Sequence, residues 1–186
     1  MKIAFLYYDD FAEFEISLTC LLLHKEDLVF TGLDNKVYRS EEKQKFVIDL
    51  VASEINVNEY DAIVIPGGDP SPLYNNEVLS NLLHSFANKG KTIAGICGGS
   101  VLMAQMGILE GKKCTGNTCG IFERDEDYKY YRKSIIENKN VVVDGNIITG
   151  QGQAYAEFAV EVGKKLGLFK TDKEYEDEMK WVKNIR

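Results

Sequence analysis

One cysteine set among glycines, Gly95-Ile96-Cys97-Gly98-Gly99, is the stretch of this sequence best suited to covalent chemistry. The β-leaning run Lys91-Thr92-Ile93-Ala94 precedes it and an apolar helical run, Ser100 to Leu109, follows. The spacing predicts strand, sharp turn, helix, with the thiol at the turn. In such an elbow the nucleophile takes a strained backbone conformation, and small neighbours let the chain fold back without a Cβ clash. The helix N-terminus aims amide N–H groups and partial positive charge at the sulfur. A depression of about two units from the ordinary value near 8.5 would make the sulfur mostly thiolate at neutral pH. The other reading of these residues is a cysteine that only packs, because free cysteine is often buried.

Two further groups could work with Cys97. Helical spacing aligns Glu15 with Phe11, Leu18 and Leu22, which puts a carboxylate inside an apolar stripe. Glu13 aligns instead with Ser17, Cys20 and His24. Burial would raise the pKa of Glu15, and a protonated carboxyl can donate to a thiolate or an oxidised sulfur. If the stripe is out of phase, Glu15 is a solvated acid in a first helical turn, where the dipole favours it. Pro66-Gly67-Gly68 ends an apolar run and could bring bare N–H groups to a ligand. Gly68 and Gly98 would then form an oxyanion hole, each donor worth about 3 kcal/mol in a transition state; a plain tight turn fits the same residues. Imidazole is the missing component. Gly98 follows the cysteine, His84 shares a helix face with Glu77, Ser80, Asn81 and Asn88, and His24 ends its helix.

The elements that must position these groups alternate. Ile3–Tyr7, Leu28–Leu33, Ala62–Ile65 and the run to Ala94 read as strands. Ala12–His24, Val78–Asn88 and Ala154–Leu166 read as helices. Residues 36–57 read as a hairpin or an edge excursion. Val141–Val143 and Ile147–Thr149 form a hairpin about Asp144-Gly145-Asn146. The charged tail, 172–186, reads as a C-terminal surface helix. Apolar strands separated by helices imply a parallel sheet covered on both faces. In such sheets reactive groups gather beyond the carboxyl ends of the strands.

Composition narrows the classes. The 186 residues are 45% hydrophobic, enough for one domain spanning 1–186. The net charge of -7 argues against nucleic acid or an anionic membrane as partner. The amino terminus is apolar for too few residues to act as a signal peptide, and no run suits a membrane span, so a cytoplasmic protein is expected. Four cysteines without a C-x-x-C pair and two histidines offer no zinc site, and neither metal nor cofactor is expected. Cys114 and Cys119 read as packing residues rather than a disulfide.

The chain resembles the DJ-1/ThiJ/PfpI family, related by fold to class I glutamine amidotransferases. The resemblance covers roughly residues 1 to 170 and is carried by four segments. They are Phe11-Ala12-Glu13-Phe14-Glu15, Ile63 to Asp69, Ile93 to Gly99, and Ile148-Thr149-Gly150-Gln151-Gly152 with Glu157-Phe158-Ala159. It implies a flavodoxin-like three-layer sandwich and often a homodimer. It also implies Cys97 as elbow nucleophile, Glu15 as its acidic neighbour, and Gly68 and Gly98 as backbone donors. Peptidase-like members carry histidine directly after the cysteine, which argues against proteolysis here. Glyoxalase- or deglycase-like members usually carry histidine where this chain has Cys114-Thr115-Gly116-Asn117; Asn117 can hold a substrate oxygen but exchanges no proton. Glutaminase subunits need a downstream histidine, and residues 140–186 contain none. Isocyanide hydratase-like members place an aspartate where Glu15 stands. Two functions remain: an enzyme acting on small electrophilic carbonyl compounds, or an oxidation sensor or protective protein working through Cys97. A fold whose cysteine is idle is the third.

Overall fold

The computed structural model describes residues 1–184. The strands in chain order are β1 (Lys2–Leu6), β2 (Asp27–Gly32), β3 (Tyr38–Arg39), β4 (Lys45–Phe46), β5 (Leu50–Val51), β6 (Ala62–Ile65), β7 (Thr92–Ile96), β8 (Lys113–Cys114), β9 (Ile135–Ile136), β10 (Val141–Asp144) and β11 (Ile147–Gly150). The α-helices are α1 (Phe14–Leu22), α2 (Glu77–Asn88), α3 (Gly98–Gln105), α4 (Tyr155–Lys165) and α5 (Asp172–Val182).

A sheet of order β10-β11-β7-β6-β1-β2-β5 forms the middle layer. Its pairs are parallel except β10–β11. Ile3–Leu6 of β1, all of β6, and Ile93–Ala94 with Ile96 of β7 are buried on both faces, which is why these strands read as unbroken apolar runs. The crossover from β1 to β2 runs one way along the sheet and that from β6 to β7 runs the other. Right-handed crossovers therefore put α1 and α2 on opposite faces, giving the expected flavodoxin-like sandwich. α4 packs beside α1, and α5 on α4. The reversal falls between β1 and β6, where a crevice opens beyond the carboxyl ends.

Boundaries differ from the sequence reading for local reasons. Helix α1 is shorter than Ala12–His24 at both ends. Helix α3 begins at Gly98, not Ser100, so the two glycines after the cysteine are helical rather than part of the turn. It stops at Gln105 because Gly107 (φ +77°) closes it: Ile108 N–H donates to Met103 O at 2.9 Å and Gly107 N–H to Ala104 O at 3.0 Å. The late hairpin turns on Gly145–Asn146, with Gly145 at φ +62°. The 36–57 stretch contains both expected forms, the β3–β4 hairpin and the edge strand β5. Residues 111–140, unassigned from sequence, hold the short β8–β9 pair and a 3-10 turn, Glu126–Tyr131. Of the expected 172–186 helix, Ile185 and Arg186 lie outside the described residues. No helix among the described residues is long and apolar enough to cross a membrane.

Candidate active site

Cys97 is the single residue between the end of β7 and the start of α3. Its backbone sits at φ +52°, ψ -120°, a region costing roughly 1–3 kcal/mol for a residue with a Cβ. The surroundings impose that conformation. Cys97 N–H donates to Gly150 O at 2.9 Å. A methyl on Gly99 would lie 2.3 Å from Ile65 O, and one on Gly98 would lie 2.3 Å from Gly68 O. These glycines are needed for space: α3 starts hard against the end of β6.

Glu15 lies in the first turn of α1 and is 3% exposed. Its Oε2 accepts Gly67 N–H at 2.9 Å, and its carboxyl and the Cys97 sulfur both adjoin Gly152. Of the two readings left open by the sequence, a buried acid and a solvated one, Glu15 is the buried acid, though with other neighbours than expected. The buried face of α1 is Glu15, Ile16 and Thr19, while Leu18 and Leu22 are half-buried and Phe11 precedes the helix. The start of α1 is held from outside, by Glu42 accepting the N–H groups of Glu13 and Phe14, each at 3.3 Å.

The turn after β6 divides its amides. Gly67 N–H is taken by Glu15, whereas Gly68 N–H has no partner among the described residues and Gly68 borders the cleft at φ +100°. The Tyr8 hydroxyl steadies this turn, 2.9 Å from Pro66 O and 2.5 Å from Gly67 O. Gly98 borders the same cleft at the first position of α3. Asn117 also borders the cleft, as the sequence suggested, and its carbonyl accepts Gly152 N–H at 2.9 Å.

Two neighbours of the sulfur were missed. Thr118 Oγ1 is 4.0 Å from Cys97 Sγ. Gly152 presents a bare Cα to the pair; a methyl there would lie 2.5 Å from Glu15 Oε1 and 3.1 Å from Cys97 Sγ. Only the Gly150-Gln151-Gly152 spacing hinted at the second. Above these groups opens a cleft of about 820 Å³, walled by Tyr74, Asp127 and Tyr130 among others. Both histidines are exposed and line no part of it; the His84 ring lies 2.9 Å from Met106 O. Cys114 is buried and Cys119 exposed, both as free thiols.

The proton balance corrects one expectation. Burial pushes Glu15 up to about 7, against the pull of its bonds to Cys97 and Gly67. The sulfur is not depressed. Burial first, then the Glu15 carboxylate, push Cys97 up to about 12, and Gly98 N–H and the Thr118 hydroxyl only partly offset this. The helix N-terminus acts on a sulfur that has lost most of its water and faces an acid. The group raised towards neutrality is therefore the acid, while the thiol is held well above it.

The model of the family described as "DJ-1/PfpI family" matches residues 1–165. An uncharacterized protein of Methanocaldococcus jannaschii is 38% identical over 127 residues, covering 66% of this chain and 60% of that protein. The "Deglycase PfpI" of Pyrococcus furiosus is 30% identical over 161 residues, covering 84% of this chain and 94% of that one. The crystal structure of a DJ-1 superfamily protein from Agrobacterium tumefaciens superposes with a TM-score of 0.82 over the whole of both chains at 23% identity, a likeness of fold. This chain thus spans less than two thirds of the Methanocaldococcus relative and nearly all of the Pyrococcus one.

Proposed function

The chain belongs to the DJ-1/PfpI family, and from that premise we propose that it is an enzyme acting on small electrophilic carbonyl compounds through Cys97. The observation that supports this most is the placement of Cys97 and Glu15 side by side at the floor of an open cleft. As the sulfur adds to the carbonyl carbon, its proton passes to the Glu15 carboxylate, and the carbonyl π electrons move onto oxygen. The free N–H of Gly68 and that of Gly98 receive the oxyanion, and the Asn117 amide can hold a second substrate oxygen. Glu15 then returns the proton to that oxygen, closing a hemithioacetal. A neutral Glu15 leaves no buried carboxylate opposing the negative sulfur. Self-association through the α1–α4 side is part of the same reading, because Phe14 and Leu21 stay exposed there and Phe14 stacks edge-on with Tyr155 at 5.6 Å.

The test is turnover of methylglyoxal and related oxoaldehydes with Cys97→Ser and Glu15→Gln beside the parent. Cys97→Ser abolishes turnover. The parent rate rises with pH through about 7 as Glu15 gains its basic form, and Glu15→Gln loses both that step and most of the rate, roughly a hundredfold. Equal activity in the parent and both variants removes the proposal.

A second reading rests on the same carboxyl, which in its neutral form can donate to an oxidised sulfur. It predicts that mild peroxide adds oxygen to Cys97 before exposed Cys119. Faster oxidation of Cys119, read by peptide mass, counts against it.

A further inference from the structure

We propose that Tyr8 is a positioning residue for the chemistry of Cys97: its hydroxyl holds, by their carbonyl ends, the two peptide groups whose N–H ends serve Glu15 and the oxyanion. This rests on the reading of Cys97 and Glu15 as the reacting pair and adds what sets the strength of their backbone partners.

Tyr8 lies just beyond the end of β1 and is buried. Its hydroxyl donates towards Pro66 O at 2.9 Å and Gly67 O at 2.5 Å, two successive carbonyls. The Pro66 carbonyl shares a peptide group with Gly67 N–H, which donates to Glu15 Oε2 at 2.9 Å. The Gly67 carbonyl shares a peptide group with Gly68 N–H, which has no partner among the described residues, and Gly68 borders the cleft. One O–H, its proton divided between two acceptors, thus stands behind both working amides. Pro66 O accepts from no other group among the described residues, whereas Gly67 O also accepts Ala12 N–H at 2.9 Å. The Glu15 side therefore depends on Tyr8 the more.

A hydrogen bond to a peptide oxygen polarises the N–H at the other end of the group and strengthens the next bond by about 10–30%. A stronger bond from N–H to a carboxyl favours its ionised form. Burial raises the proton affinity of Glu15 most; Cys97 and Gly67 N–H lower it, and Glu41 and Glu42 on the β3–β4 turn raise it. Tyr8 acts on the backbone member of that set. It is a dependable donor, because burial first, then Glu15 and Cys97, keep its own pKa well above the ordinary value. The hydroxyl stays protonated across the range in which Glu15 titrates. The ring itself packs against Phe11, with centroids 6.2 Å apart, and phenylalanine would fill that space equally well. What the oxygen adds is the pair of bonds to the bend.

The experiment titrates Glu15 directly, by carbon NMR of the full chain carrying carboxyl-labelled glutamate, with the Glu15 signal identified by its loss in Glu15→Gln. In Tyr8→Phe the midpoint is expected to rise from about 7 to about 7.5 or higher. With 3-fluorotyrosine in place of Tyr8, a more acidic hydroxyl of nearly the same shape, the midpoint is expected to fall below that of the parent. A merely structural role would not move the two in opposite directions. Methylglyoxal turnover on the alkaline plateau reads the other amide: kcat is expected to drop about threefold or more in Tyr8→Phe with KM little changed. A midpoint that stays in place in Tyr8→Phe, or moves the same way with both replacements, overturns the proposal. A moved midpoint with kcat intact overturns the link to Gly68 N–H. If Tyr8→Phe does not fold, the fluorinated protein decides alone, and an unmoved midpoint in it overturns the proposal. Should the parent itself fail to turn over oxoaldehydes, the carbonyl reading falls, while the carboxyl titration still decides whether Tyr8 governs Glu15.

Discussion

The floor and the rim of the cleft are built on different terms. The floor joins the ends of β1, β6 and β7, where a methyl on Gly98 or Gly99 would collide with a carbonyl at 2.3 Å. The rim is largely residues 117–130, held by short bridges and a 3-10 turn, with charged side chains facing water. A floor this tight has one arrangement, and it fixes a sulfur and an acid. A rim this loose can change its side chains without disturbing the sheet. The difference is one of tolerance: backbone crowding fixes the floor, and irregular chain leaves the rim free to vary.

The sharpest way to break that contrast is to add one methyl at the floor and one outside the cleft. Gly99→Ala is expected to cost about 3 kcal/mol or more, because only backbone lies in its way. Gly111→Ala, with open space but φ +69°, should cost about 1 kcal/mol. Chemical denaturation of both variants decides it, and similar losses would mean that the floor is no tighter than its surroundings.

Glu15→Gln gives the next largest effect and should trade rate for stability. A carboxyl raised from 4.5 to about 7 binds its proton more tightly in the folded chain than in the unfolded one. That stabilisation is full below the unfolded value and is lost as pH rises through about 7. The variant should therefore be the more stable protein near pH 8 by about 3 kcal/mol, with the difference vanishing towards pH 4. A parent that is equally stable relative to the variant at both ends of that range would mean that Glu15 is not raised.

The smallest effect sharpens the comparison from within the rim segment, whose inner side does reach the core. Tyr131 is fully buried, yet its hydroxyl has no partner among the described residues. Tyr131→Phe should gain about 1 kcal/mol, visible as a raised melting temperature. A loss would show that the hydroxyl is bonded after all.

The same division decided what could be read from the sequence. Continuous burial leaves an unbroken apolar string, so β1, β6 and β7 were legible almost to the residue. The G-x-C-x-G spacing located the elbow, because crowding at Gly98 and Gly99 permits nothing larger. Glu15 was legible as an acid on the wrong stripe, since the burial of α1 depends on α4, which lies far along the chain. Thr118, Asp127 and Tyr130 gave no signal. They reach the cleft through irregular backbone, where neither a period of two nor one of 3.6 applies. The proton balance was misjudged for another reason: sequence shows the amides that lower a thiol's pKa but not the water it has lost.

The carbonyl of Gly68 has one more consequence, for the imidazole that peptidase-like members carry beside their cysteine. Position 98 has ordinary helical backbone, so nothing about its torsions refuses a larger residue; the refusal comes from the oxygen across the crevice. Grafting a histidine there would push the end of the neighbouring strand aside before the ring could serve as a base. An ancestor or a protein engineer would have to re-route the Pro66–Gly68 bend first, so moving between the two chemistries takes coordinated changes rather than one.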